Sequence, residues 1–139
     1  MDQNLRREII LDNYTNPFHK ETKTEGFLTS NANNISCIDN INIFLKIEND
    51  IIVDAYFDGE ACAISTASTS IMLKKIIGMR VEEAKKFIQN FDNMVYEKEY
   101  DKDLMGEALA FDQICFQESR KTCATLPYRG LEKIINKEC

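Results

Sequence analysis

The sequence predicts an α+β fold: an N-terminal helix, a small three-stranded antiparallel sheet, then a bundle of about four helices. Three observations predict it. Two runs of alternating apolar residues, "INIFLKI" and "IIVDAYFD", flank a short polar turn. The chain beyond residue 62 loses that alternation and takes up helical spacing. Strands and helices each come as a block, without the strand–helix alternation of a parallel sheet.

The elements follow in order. In "NLRREIILDNYTNP", Leu5, Ile9 and either Asp12 or Asn13 keep helical spacing, and "TNP" stops the helix at Pro17. Residues 18–26 are polar and read as a loop, with His19 a solvated side chain rather than a ligand. "GFLTSN" supplies a third strand. Ile41, Ile43, Leu45 and Ile47 alternate onto one face, as do Ile51, Val53, Ala55 and Phe57, with Asn49-Asp50 at the turn centre between them. "AISTASTSIMLKKIIG" is a helix closing at Gly78, and its Ser/Thr/Ala content suits close packing. "VEEAKKFIQNF" puts Val81, Ala84, Phe87, Ile88 and Phe91 on one stripe. Residues 92–102 read as charged and irregular, "LMGEALAFDQICF" as a third helix weakened by Gly106, and "ATLPYRGLEKIINK" as a fourth with Pro127 in its first turn.

The bulk properties bound the function. A chain of 139 residues is one domain's worth, residues 1–139, and buries enough surface to fold without disulfide staples. Net charge is −6 and the isoelectric point is about 4.9. That balance argues against a nucleic-acid or anionic-membrane partner, which calls for a basic patch. The N-terminus has no secretory pattern, and no apolar run approaches the ~20 residues that span a bilayer. The expectation is a cytoplasmic protein. In that compartment the five cysteines are better read as metal or redox chemistry than as a disulfide framework.

Three thiols sit at element boundaries. Cys37 precedes the first strand of the hairpin, Cys62 follows the second, and Cys123 lies at the start of the last helix. An antiparallel hairpin brings the start of one strand beside the end of the next, so Cys37 and Cys62 should be neighbours. Asp39 is two residues past Cys37, on the same side of an extended segment. Three thiolates and one carboxylate suit a tetrahedral zinc ion, or a labile iron–sulfur cluster. Buried structural cysteines remain the competing interpretation for each thiol. Cys115 reads as core and Cys139 as a frayed terminus.

The motifs "NNISCIDN", "GEACAIS" and "RKTCATL" together resemble the IscU/SufU family, iron–sulfur cluster assembly proteins related to the N-terminal domain of NifU. The family pattern is Cys-Gly-Asp, then Gly-x-Gly-Cys-x-Ile-Ser, then a third cysteine opening the last helix. Here Cys37, Ile38 and Asp39 match the first, Gly59 through Ser65 the second, and Cys123 the third. The resemblance runs from "REIILDNYTNP" to "LEKII" and implies a SufE/NifU-like fold. IscU proteins carry a Leu-Pro-Pro-Val-Lys motif and a His before the third cysteine, and "FQESRKTC" has neither. The charged segment "MVYEKEYDKDLMG", the "CATL" run and Arg120 are similar to the SufU branch.

The resemblance implies zinc held by Cys37, Asp39, Cys62 and Cys123, with Arg120 in support. It implies that Cys37 accepts persulfide sulfur from a SufS-like cysteine desulfurase, which takes up a zinc position and frees that thiol. Downstream partners would be iron–sulfur assembly or apo-proteins. One alternative is a scaffold on which a [2Fe–2S] cluster is assembled and transferred. Another is a structural zinc protein acting only through its surface. Three residues depart from the pattern beside the ligands. Ile38 and Ala61 replace glycines, and Thr122 replaces a lysine; a β-branched Ile38 at positive φ would be strained.

Overall fold

The computed structural model describes residues 1–34 and 38–137. The chain runs through α1 (Gln3–Thr15), β1 (Leu28–Asn33), β2 (Asn40–Glu48), β3 (Ile51–Glu60), α2 (Ala63–Ile76), α3 (Val81–Val95), three short 3-10 turns, and α4 (Glu118–Ile135). The strands form one antiparallel sheet in the order β1-β2-β3. One face of that sheet is covered by the helices, and the core lies between them. No described helix is long and apolar enough to cross a membrane.

The β2–β3 hairpin turns at Asn49 and Asp50, with φ of 52° and 66°. A two-residue turn matched to strand twist needs positive φ at both positions, and Asn and Asp tolerate it. Ile41, Ile43 and Leu45 point inward and are fully buried. On β3 the alternation changes parity. Ala55 and Phe57 are buried, but near the turn Ile52 is buried while Ile51 and Val53 are exposed. Lys46 pairs with Asp54 and Ile47 with Ile52, so Val53 is an extra residue in β3. Such a bulge flips every residue beyond it to the other face, which simple alternation does not anticipate.

The outer edge of β3 is covered by the segment before β1. Phe57 N–H donates to His19 O at 3.1 Å, and Glu21 N–H donates to Phe57 O at 2.8 Å. His19 is therefore not a solvated loop residue. Its ring stacks between Phe18 and Tyr56, with centroids at 3.8 and 4.4 Å, and its Nδ1 lies 2.9 Å from Ala55 O.

Asp2 caps α1 by accepting the Leu5 N–H at 2.8 Å. Asn13, not Asp12, turns inward, and its Oδ1 accepts from Ser70 Oγ at 2.8 Å. Leu5, placed on that face by spacing, is instead 43% exposed. Helix α2 runs through the interior, with Ser65 through Leu73 all buried. Its small hydroxyl residues let neighbouring helices approach and satisfy their own oxygens on nearby carbonyls. Gly78, at φ 95°, ends it as expected.

Two helical expectations are corrected. Residues 92–95 continue α3, because Met94 and Val95 extend its buried stripe. "LMGEALAFDQICF" forms 3-10 turns at Lys102–Leu104, Gly106–Phe111 and Ile114–Phe116 instead of an α-helix. Four of its five buried residues, Met105, Ala108, Phe111 and Ile114, recur every third position, and Ala110 is the fifth. A period of three belongs to the 3-10 helix. Cys115, expected in the core, is only partly buried on this segment. Cys139 lies outside the described residues.

Helix α4 also departs from expectation. It begins at Glu118, so Cys123 is its sixth residue and Pro127 its tenth, and neither is in the first turn. It packs on the sheet at Gly130, where a Cβ would come within 3.1 Å of Ile43 and 3.3 Å of Ala32.

Gly59 controls the end of the hairpin that leads to Cys62. It has φ 110°, and a Cβ there would sit 2.0 Å from the Asn40 carbonyl oxygen on the paired strand. Gly59→Ala should destabilise the protein by at least about 2 kcal/mol in urea unfolding, since backbone strain and a backbone clash coincide. A midpoint equal to wild type would show that the strand ends can part freely.

Candidate metal centre

The site forms where the sheet, α2 and α4 converge. The pairing of Asn40 with Glu60 sets the start of β2 beside the end of β3. Asp39 and Cys62, one and two residues outside that pair, therefore meet. Asp39 is 1% exposed, and its Oδ1 accepts the Cys62 N–H at 2.7 Å. Its Oδ2 accepts from Ser65 Oγ at 2.7 Å and lies 3.7 Å from Cys62 Sγ. The Asp39 carbonyl accepts the Asn34 N–H at 3.0 Å, which ties the end of β1 to the same point.

Cys62 is the N-cap of α2, as the sequence suggested for a thiol between strand and helix. Its Sγ accepts the Ser65 N–H at 3.4 Å. Cys123 enters from α4, buried at 8% exposure. One ligand atom each from Asp39, Cys62 and Cys123 lies within 4.8 Å of the others. Cys37, the fourth residue expected here, lies outside the described residues, as does the backbone on which the expected Ile38 strain depends. Ile38 itself is 69% exposed.

The donor set fits zinc. With Zn–S near 2.3 Å and Zn–O near 2.1 Å, a tetrahedron places S and O about 3.6 Å apart. The observed Asp39 Oδ2–Cys62 Sγ separation is 3.7 Å. The electrostatics agree with the geometry. Burial pushes the Asp39 carboxyl up, but the Cys62 N–H and the hydrogen bonds of Ser65, Cys123 and Cys62 outweigh it, leaving the carboxyl below its ordinary range. Asp39 is thus held as an anion. The Cys123 thiol is pushed up to about 12, first by burial and then by Cys62 and the Asp39 charge. Cys123 lies well inside α4, so no helix N-terminus offsets its burial. A bound cation supplies the opposite field and stabilises the thiolate.

The centre opens into a cleft of about 610 Å³ lined by Asn34, Ile64, Arg120 and Thr122 beside the two thiols. Arg120 lies within the first turn of α4, one turn before Cys123. Thr122 faces solvent, so the missing lysine leaves no buried gap, and Ala61 packs partly against the core. Ser65 was not singled out from the sequence, although it follows Cys62 by three residues, where an N-cap sulfur and a helix side chain meet.

A buried carboxylate and two thiols within 4.8 Å of one another, gathered by a three-stranded sheet and helices, form a thiol-rich candidate metal site. Comparison with known proteins makes the class specific. Residues 5–124 match the family model described as the NifU-like N terminal domain. The chain is 37% identical over 135 residues to the zinc-dependent sulfurtransferase SufU of Bacillus subtilis, covering 96% of this chain and 91% of that protein. It is 32% identical over 130 residues to the iron–sulfur cluster assembly scaffold protein IscU of Thermotoga maritima, covering 94% and 92%. A crystal structure described as a putative iron–sulfur cluster assembly scaffold for the SUF system, from Fervidobacterium islandicum, superposes with a TM-score of 0.87. Its sequence identity is 30%, with 95% of this chain and 97% of that one covered. The chain belongs to the NifU-like N-terminal domain family, the iron–sulfur cluster assembly proteins that include SufU and IscU.

The raised thiol gives a pH dependence. Between the ordinary thiol value of 9.0 and about 12, folded Cys123 keeps a proton that the unfolded chain has lost. The native state then binds more protons, so stability of the metal-free protein falls as pH rises through that window. The urea midpoint of metal-free wild type should therefore drop more steeply above pH 9 than that of Cys123→Ser. Parallel curves would contradict the placement of this thiol. Zinc binding should release protons and tighten as pH rises, in titration calorimetry run in several buffers.

Proposed function

We propose that this chain binds zinc through Cys37, Asp39, Cys62 and Cys123, and accepts persulfide sulfur on Cys37 from a cysteine desulfurase. The observation that carries this is the clustering of Asp39, Cys62 and Cys123 within 4.8 Å of one another, with the Asp39 Oδ2–Cys62 Sγ separation of 3.7 Å matching one edge of a zinc tetrahedron. It is supported by likeness over most of the chain to a zinc-dependent sulfurtransferase. Zinc holds thiolates deprotonated at neutral pH. The transfer is an exchange of sulfur between thiols. The Cys37 thiolate attacks the terminal sulfur of the donor persulfide, a new S–S bond forms on Cys37, and the donor cysteine leaves as a thiolate. No net oxidation or reduction is needed. Arg120, at the cleft mouth, lends positive charge to the approach of an anionic persulfide.

A second reading rests on the relatives named as scaffolds: Asp39 and the thiols receive an iron–sulfur cluster as cargo and pass it to an apo-protein. A third reading is a structural zinc site, which four protein ligands would also fit; it is separated from the first by desulfurase turnover, which this chain should stimulate only if it accepts sulfur.

Protein purified in air should contain about one zinc per chain, in the manner of a four-ligand site, and be colourless. With a desulfurase and isotopically labelled cysteine, wild type should retain label on Cys37 by mass spectrometry. Cys37→Ala should acquire none. Asp39→Ala should lose zinc affinity first. Label persisting in Cys37→Ala would remove the assigned acceptor. A chain that turns brown on anaerobic reconstitution and carries no sulfane sulfur would favour the scaffold reading.

A further inference from the structure

Pro127 stands ten residues into α4. It has no N–H, so the carbonyl four residues back, that of Cys123, lacks its helical donor. Another helix supplies the replacement. Ser65 Oγ donates to Cys123 O at 2.9 Å, and Ser68 Oγ, one turn along α2, donates to Ala124 O at 2.6 Å. Both serines are fully buried. Ser65 also touches the other two described members of the centre. Its N–H donates to Cys62 Sγ at 3.4 Å, and its Oγ lies 2.7 Å from Asp39 Oδ2. One side chain on one turn of helix thus meets the carboxylate, one sulfur and the backbone of the other sulfur.

We propose that Ser65 is the positioning residue of this centre, its hydroxyl shared between the Asp39 carboxylate and the Cys123 carbonyl that Pro127 leaves without a helical donor. The inference rests on the metal-binding reading above. A serine hydroxyl has one proton, so at any moment one acceptor holds it and the other is underserved. The break at Pro127 makes α4 depend on α2 at the turn that carries Cys123. The same hydroxyl sets the carboxylate against which that thiol packs. Moving Ser65 moves both.

The test uses full-length wild type, Ser65→Ala, Pro127→Ala and the double variant. Zinc affinity is read by competition with a chromogenic chelator, cobalt-loaded protein by its absorption spectrum, and metal-free protein by urea unfolding. Ser65→Ala should weaken zinc binding by about 10- to 100-fold, the usual loss when an outer partner of a ligand is removed. Its cobalt ligand-field bands should shift, while thiolate charge-transfer intensity stays, because every sulfur remains. Pro127→Ala gives the Cys123 carbonyl a helical donor. The urea midpoint lost on removing Ser65 should therefore be smaller in that background, while zinc binding stays weak for want of the bond to Asp39. A zinc affinity within about twofold of wild type with an unchanged cobalt spectrum would overturn the proposal. So would an equal loss of midpoint in both backgrounds. If wild type binds no zinc, the metal reading fails, and the metal-free comparison still decides whether Ser65 serves the break at Pro127.

Discussion

The buried Asp39 carboxylate is the constraint around which this molecule is organised. An anion taken out of water is costly unless donors replace its hydration. Here they come from the Cys62 N–H and Ser65 Oγ. Meeting that demand pulls the N-terminus of α2 onto the start of β2, and the Asn34–Asp39 bond adds the end of β1. Once α2 is fixed, its other hydroxyls bind the rest of the fold. Ser68 holds α4, while Ser70 holds Asn13 of α1 and the Phe18 N–H. A polar interior helix is unusual for a small core. In this chain each buried hydroxyl on α2 has an acceptor, so the network orients elements without leaving any hydroxyl of that helix unpaired.

The same arrangement explains why the two described thiols differ. Cys62 caps a helix and faces the cleft, with a backbone N–H aimed at its sulfur. Cys123 is more deeply packed, beside both the other thiol and the carboxylate, and its proton is held more firmly than in an ordinary thiol. A cation reverses that preference at once, because it neutralises the mutual repulsion that burial imposes. A metal held there would be bound by groups that already join the sheet, α2 and α4.

Much of this was legible in the sequence, for physical reasons that differ by element. The hairpin declared itself because Asn49-Asp50 suits a tight turn and Ile41, Ile43 and Leu45 alternate without interruption. Antiparallel pairing places the start of β2 beside Cys62, and the two-residue step from Cys37 to Asp39 adds the carboxylate to that point; the Asp39–Cys62 contact is observed, while Cys37 lies outside the described residues. The β3 bulge at Val53 was hidden, since an extra residue leaves an apolar run looking regular while changing which face it covers. The stretch after Leu104 was read with the wrong period: Met105, Ala108, Phe111 and Ile114 repeat every three residues, and Gly106 at φ 55° prevents an α-helix from starting there. The start of α4 is hidden because a proline ordinarily marks a helix's first turn, whereas Pro127 stands in the interior of this one. Ser65 escaped notice because the value of a hydroxyl depends on what surrounds it, here a carbonyl freed by a proline 62 positions away.

X-ray absorption at the zinc edge of the purified protein addresses the central claim most directly. Three sulfur scatterers at about 2.3 Å and one oxygen at about 2.0 Å are predicted. A first shell of nitrogen and oxygen alone would mean that these sulfurs and this carboxylate do not share an ion.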